Sequence, residues 1–156
     1  MIVSDIILQC KGGDPVRRSS NCNKRRDGAL TMILVVDDER EIRSLVRILA
    51  ERSGYRVLEA SSAEEALQIL QERMLEPSLL LTDIVMPGMS GLALAARVHH
   101  IRPTLPVIFM TGFADEYQAE LSGSVCLRKP FNATELLTAI QDVIGLPPHV
   151  HAEPRP

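Results

Sequence analysis

Leu79-Leu80-Leu81-Thr82-Asp83, running on into Ile84-Val85-Met86-Pro87-Gly88-Met89-Ser90-Gly91, is the segment from which this fold can be read. Three consecutive leucines ahead of a polar residue predict a short strand buried on both faces, as the inner strands of parallel sheets are. Asp83 stands where that strand runs out, and Pro87-Gly88 and Ser90-Gly91 impose a loop before the next helical segment. In open α/β sheets ligands collect beyond the carboxyl ends of the strands, so an acid there is well placed for chemistry. Taken alone, an aspartate at such a point is more often a helix cap or a turn former. The rest of the chain decides between these readings.

On either side of this strand, strands and helices alternate. Met32–Val36 is an apolar run that ends in Asp37-Asp38, and Ile42, Leu45, Val46 and Leu49 then recur at helical spacing as far as Arg52, with Gly54 as a stop. Tyr55–Ala60 reads as a half-buried strand. Ser62 with Glu65 has the capping-box pattern and opens a helix carrying Ala66, Leu67 and Leu70. Ser90 caps a helix with Leu92, Leu94, Ala95 and Val98 that must end before Pro103. Val107–Met110 is a second continuous apolar run, closed by Thr111-Gly112, and Ser124–Arg128 is a last short strand before Lys129-Pro130. Asn132 with Glu135 repeats the capping box ahead of Leu136, Leu137, Ile140, Val143 and Ile144. Successive βα units with right-handed crossovers predict a flavodoxin-like (βα)5 three-layer α/β sandwich, its parallel sheet ordered 2-1-3-4-5.

That order turns the ends of strands 1, 3, 4 and 5 toward one crevice. Asp37, Asp38, Asp83, Thr111 and Lys129 all lie at such ends. Three carboxylates gathered there repel one another by about 4 kcal/mol per pair at ~4 Å and an effective dielectric of ~20. A cation must offset this, or an acid must take up a proton. Lys129 supplies one positive charge. A hard divalent ion such as Mg²⁺, which favours one or two carboxylates plus water and phosphate oxygens, supplies another. With Asp83 kept ionised, its carboxylate can attack phosphorus, with Lys129 and the Thr111 hydroxyl offsetting charge on the transferring group.

Composition narrows the possibilities further. Hydrophobic residues at 46% are enough for one core, and aromatics at 3% with no Trp make that core aliphatic. The net charge of −3 argues against a nucleic-acid surface. Residues 1–31 hold six Lys or Arg against three acids, a net +3, which leaves −6 for residues 32–156. The first 31 residues are expected to be a disordered basic extension and 147–156 a disordered proline-rich tail, flanking a folded unit over 32–146. No apolar run approaches the roughly eighteen residues of a membrane span. Cys10, Cys22 and Cys126 lack disulfide or zinc spacing, which suggests free thiols in a reducing, cytoplasmic setting.

Four motifs in order resemble the receiver domain of two-component response regulators. They are Val35-Val36-Asp37-Asp38-Glu39, Asp83 with Met86-Pro87-Gly88-Met89-Ser90-Gly91, Met110-Thr111-Gly112, and Lys129-Pro130-Phe131. The resemblance covers roughly residues 32–145. It implies that Asp83 is the phosphoacceptor and that Asp37, Asp38 and Asp83 hold Mg²⁺ together with the backbone carbonyl of Val85. It further implies that Thr111 is the switch hydroxyl, that Lys129 pairs with the phosphoryl group, and that the bond before Pro130 is cis. The donor it implies is a histidine kinase or a histidine phosphotransfer protein, docked beside the first helix, whose exposed residues are expected to include Arg43, Arg47 and Arg52. Such a protein catalyses only its own phosphorylation and dephosphorylation.

Three departures from the family pattern stand out. Receivers commonly carry Tyr or Phe three residues before the lysine, where this chain has Cys126, read as a small apolar filler. The stretch from Thr111 to Lys129 is shorter than usual by about four residues, near one helical turn. The helix expected around 115–121, fourth in order, should therefore be short, displaced or poorly formed, as in receivers attached to hybrid histidine kinases. Val85 and Phe113, two residues past Asp83 and Thr111, are apolar and cannot orient an attacking water, which implies slow self-dephosphorylation. Three other functions compete: a Mg²⁺-dependent phosphohydrolase with an aspartyl nucleophile, a flavodoxin-type cofactor binder, for which no Gly/Ser/Thr-rich phosphate loop follows the first strand, and a receiver-like module that binds partners without phosphorylation. The hydrolase would want a second acid two residues after Asp83, where Val85 stands.

Overall fold

The computed structural model describes residues 31–72, 75–113, 115–117, 119–121 and 123–145. The expected tail at 147–156 and all but Thr31 of the expected N-terminal extension lie outside the described residues.

Five strands and four helices follow one another along the described chain, alternating except between the last two strands: β1 (Met32–Val36), α1 (Arg40–Arg52), β2 (Arg56–Ala60), α2 (Ala63–Gln71), β3 (Leu79–Asp83), α3 (Gly91–Ile101), β4 (Val107–Thr111), β5 (Val125–Arg128) and α4 (Ala133–Ile144). The strands form one sheet in the order β2-β1-β3-β4-β5 with every pairing parallel, as the alternation requires. Side-chain alternation along the strands sorts the core into two layers. Ile33, Val35, Leu79, Leu81, Ile108 and Met110 face Val46 and Ala50 of α1 and Leu136 and Ile140 of α4. Leu34, Val36 and Leu80 face Ala66 and Leu70 of α2 and Leu94 and Val98 of α3. All five residues of β3 are buried, because helices cover both faces of the strand.

The helix starts are set by local chemistry. Ser90 Oγ accepts from the Ala93 amide, and Asn132 with Glu135 makes the complete reciprocal box. Ser62 accepts from the Glu65 amide, but the Glu65 carboxylate lands one residue early, on the Ser61 amide (2.7 Å) and hydroxyl (2.8 Å). Those two bonds hold the Glu65 carboxyl below its usual range. Between β4 and β5 the described residues run through turns rather than a helix, with the Leu121 amide on Tyr117 O and the Ser124 amide on Leu121 O. Leu121 still tucks against Ile84 and Phe109, with Cys126 packed beside them as filler, and burial pushes that thiol's pKa up.

Candidate functional site

Register brings the site together. Val36 lies opposite Thr82, and Asp83 lies opposite Met110, so the carboxyl ends of β1, β3 and β4 finish at one level. The chain order reverses between β1 and β3, which makes this edge the sheet's switch point. The Lys129 amide donates to Thr111 O at 2.8 Å, which fixes the residue after β5 to the end of β4. The Lys129–Pro130 bond is cis.

Lys129 is the centre of the cluster. Its Nζ lies 2.7 Å from Asp37 Oδ2, 3.1 Å from Asp83 Oδ2 and 3.5 Å from Glu39 Oε1. Asp37 is fully buried, and its other oxygen accepts from the Glu39 amide at 2.9 Å. Burial pushes the Asp37 carboxyl above its usual range, against the opposing pull of the Lys129 ammonium and the Glu39 amide. Burial also draws the Lys129 pKa down, but the Asp37 and Asp83 carboxylates outweigh it and leave the ammonium above its ordinary value. The lysine is therefore charged at every physiological pH.

Asp37, Glu39 and Asp83 each offer a carboxylate oxygen within 4.8 Å of the others. Three hard oxygen donors at that spacing suit a hard divalent cation. Asp38 is not in the group: its side chain is exposed, and the contact it makes is through its carbonyl, which accepts from Arg43 at 3.2 Å. The chain bends at Asp38, and the Glu39 amide donates across that bend to the Asp37 carboxylate, which brings the Asp37 and Glu39 carboxylates to one side. Sequence reasoning passed over Glu39, although its two-residue offset from Asp37 was the available signal.

Thr111 is buried at the end of β4, where its Oγ1 accepts from the Phe113 amide at 3.0 Å. The Val85 amide lies 3.4 Å from Asp83 Oδ1, while the Val85 and Phe113 side chains stay 48% and 56% exposed, so they flank the site as an apolar rim. Gly91 explains how β3 can lead so directly into α3. A Cβ there would stand 1.9 Å from the Asp83 carbonyl oxygen, and the Gly91 amide closes the loop on Ile84 O at 2.9 Å. Gly88 takes a positive φ of 76°, a backbone that glycine adopts without strain. The aspartates are not helix caps: α1 is preceded by Glu39, and no side chain caps it.

The family model of the response regulator receiver domain matches residues 33–141. The chain belongs to that family. CpdR, a response regulator receiver protein of Brucella abortus, is 38% identical over 118 residues, which cover 72% of this chain and 95% of CpdR. The sensor kinase CckA of the same organism is 34% identical over 121 residues, 75% of this chain but only 13% of the kinase. Among solved structures, the response regulator TrrA of Thermotoga maritima, in complex with Mg²⁺-BeF, superposes with a TM-score of 0.65 at 30% identity, covering 73% of this chain and 99% of TrrA. Receiver domains are signalling modules of two-component systems that work with histidine kinases and phosphotransfer proteins. Among the described residues of this receiver, no helix is long and apolar enough to cross a membrane.

Proposed function

We propose that this receiver, folded over residues 32–146, accepts a phosphoryl group on Asp83 from a phosphohistidine donor and converts it into altered protein contacts. The observation that carries the reading is Lys129 Nζ held between Asp37 Oδ2 and Asp83 Oδ2 at 2.7 and 3.1 Å. A lysine so placed already stands where charge on a transferred phosphoryl group would develop.

An Asp83 carboxylate oxygen attacks phosphorus, the phosphorus–nitrogen bond to the donor imidazole breaks, and the imidazole nitrogen leaves with the bonding pair. The product is an acyl phosphate on Asp83. Lys129 pairs with a phosphoryl oxygen, and the Thr111 hydroxyl turns to donate to another. Asp37, Glu39 and Asp83 would hold Mg²⁺, with Asp38 and the Val85 carbonyl as the further ligands that the family resemblance implies. When bound, the ion neutralises phosphoryl oxygens and lowers the repulsion between the incoming group and the carboxylates.

Thr111 begins with its oxygen occupied by the Phe113 amide, so its turn toward phosphate pulls on the segment after β4. That shift in population is the signal, and it reaches a protein partner through the β4–β5 surface. The free thiol of Cys126 suits a reducing cytoplasm.

Incubation with acetyl phosphate and Mg²⁺, followed by intact mass measurement, tests the chemistry. Wild type should gain one phosphoryl mass and Asp83→Ala none. No gain on wild type, or an equal gain on both, refutes the assignment.

A further inference from the structure

The acidic loop between β1 and α1 has a strut of its own. Arg43, on the first turns of α1, sends Nη1 back to the carbonyl oxygens of both Asp37 (2.7 Å) and Asp38 (3.2 Å). Its Nε faces Glu59 Oε1 on β2 at 3.8 Å, and Glu59 also holds Arg47 Nε at 3.0 Å through its other oxygen. The Arg43 side chain is only 15% exposed, so it is packed inward rather than facing solvent as expected; its bond to the Asp37 carbonyl is part-buried and the one to Asp38 exposed. A lysine could not reproduce them, because only a planar guanidinium addresses two carbonyls and a carboxylate from one rigid fork.

We infer that Arg43 is a positioning residue for the metal site: it clamps the Asp37 and Asp38 carbonyls and so presents the loop's carboxylates at fixed spacing. Arg43 touches neither the phosphoryl position nor a carboxylate of the Asp37–Glu39–Asp83 group in the contacts above. It acts by stiffening the backbone between the end of a buried strand and the start of a helix. Groups that orient metal ligands from behind typically change metal affinity by about 10- to 100-fold when removed. Glu59 is the second member of the strut, since it holds the guanidinium against β2.

The inference rests on the proposed Mg²⁺-assisted phosphorylation, and one of its readouts does not depend on that reading. Backbone hydrogen exchange without metal should quicken at the Asp37–Arg43 amides in Arg43→Gln, while β3 and α4 amides keep wild-type protection. Mg²⁺ titration of the same protein should show affinity weakened about tenfold or more. Arg43→Lys should recover little of that, and Glu59→Gln should lose a smaller part. At saturating Mg²⁺, the rate of acetyl phosphate uptake by Arg43→Gln should return to within about twofold of wild type, since the strut acts through ligand placement.

Unchanged exchange in the loop, exchange that quickens throughout the domain, full recovery by lysine, or Mg²⁺ affinity within threefold of wild type would each overturn the strut. Failure of wild type to bind Mg²⁺ or take up phosphate would instead overturn the function proposed above, and the exchange result would still judge the clamp.

Discussion

Replacing Lys129 with methionine removes the cation at the centre of the acidic cluster while keeping most of its stem volume. Asp37 and Asp83, with oxygens within 4.8 Å of each other, would then face one another unscreened. At that distance, and at an effective dielectric near 20, their repulsion is about 3.5 kcal/mol. Mutational experience with buried pairs agrees, since deleting one partner costs about 3–5 kcal/mol. With Lys129 itself only 14% exposed, the lower end of that range is expected, about 3 kcal/mol at neutral pH without divalent ions. That corresponds to a loss of about 10 °C in melting temperature for a domain of this size.

The sign of the pH dependence follows from Asp37. Its carboxyl is already raised by burial, and loss of Lys129 removes influences that hold it down. A carboxyl whose folded pKa exceeds its unfolded value of about 3.9 gives full stability below that value and loses it as pH rises through the folded pKa. Wild type loses less over the same range, so the deficit of Lys129→Met should widen from pH 4 upward. Mg²⁺ should stabilise the variant more than wild type, because the ion then meets an anionic site with no competing ammonium. Urea unfolding at pH 5 and pH 8, with EDTA and then with Mg²⁺, measures all three quantities. A deficit equal at both pH values, or Mg²⁺ stabilising wild type more than the variant, would refute this account of the lysine.

Three further outcomes test other parts of the structure. Gly91→Ala forces a Cβ into the Asp83 carbonyl, so it should destabilise the domain by several kcal/mol in urea unfolding, or shift β3 enough to abolish phosphoryl uptake. Glu65→Gln should lower melting temperature at pH 7 and by progressively less as pH falls below the unfolded carboxylate range, because the lowered pKa of Glu65 gives stability that is present above the unfolded carboxylate pKa and lost as pH falls through the folded one. The phosphorylated protein should lose its label over minutes or longer with Mg²⁺ present, since Val85 and Phe113 offer no polar group to aim a water. Phe113→Gln should hasten that loss when free phosphate is followed, and a wild-type lifetime of seconds would count against the apolar rim.

The parallel sheet and its order were legible because the strongest signals were also the physically dominant ones. Leu79–Leu81 and Val107–Met110 are apolar on both faces, and only a strand sandwiched between helices can bury them. The meeting of Asp37, Asp83, Thr111 and Lys129 at one edge of the sheet was legible for the same reason, since strand order and register decide which strand ends adjoin. A short, displaced or poorly formed helix between β4 and β5 was expected from the segment's length against the family pattern, and the described residues there are turns. Strand starts were less legible. Tyr55 lies just outside β2, because its amide bonds back to Ala50 O as the chain leaves α1 and its hydroxyl donates to Gly145 O at 2.9 Å.

The sequence did not show that Glu39 would stand beside Asp37 and Lys129. Two adjacent aspartates invite the reading that they act as a pair, yet the Asp37 side chain is buried while Asp38 is exposed at a bend. Glu39 gains the place because the Asp37 side chain accepts its amide, which folds the loop tightly enough to bring the Glu39 carboxylate 3.5 Å from Lys129 Nζ. Asp38, left facing solvent, keeps its carboxylate clear of that crowded centre while its carbonyl is held by Arg43. If Glu39 is a Mg²⁺ ligand beside Asp37 and Asp83, Glu39→Gln should weaken Mg²⁺ affinity about tenfold or more in a titration, and an affinity within about threefold of wild type would refute that role.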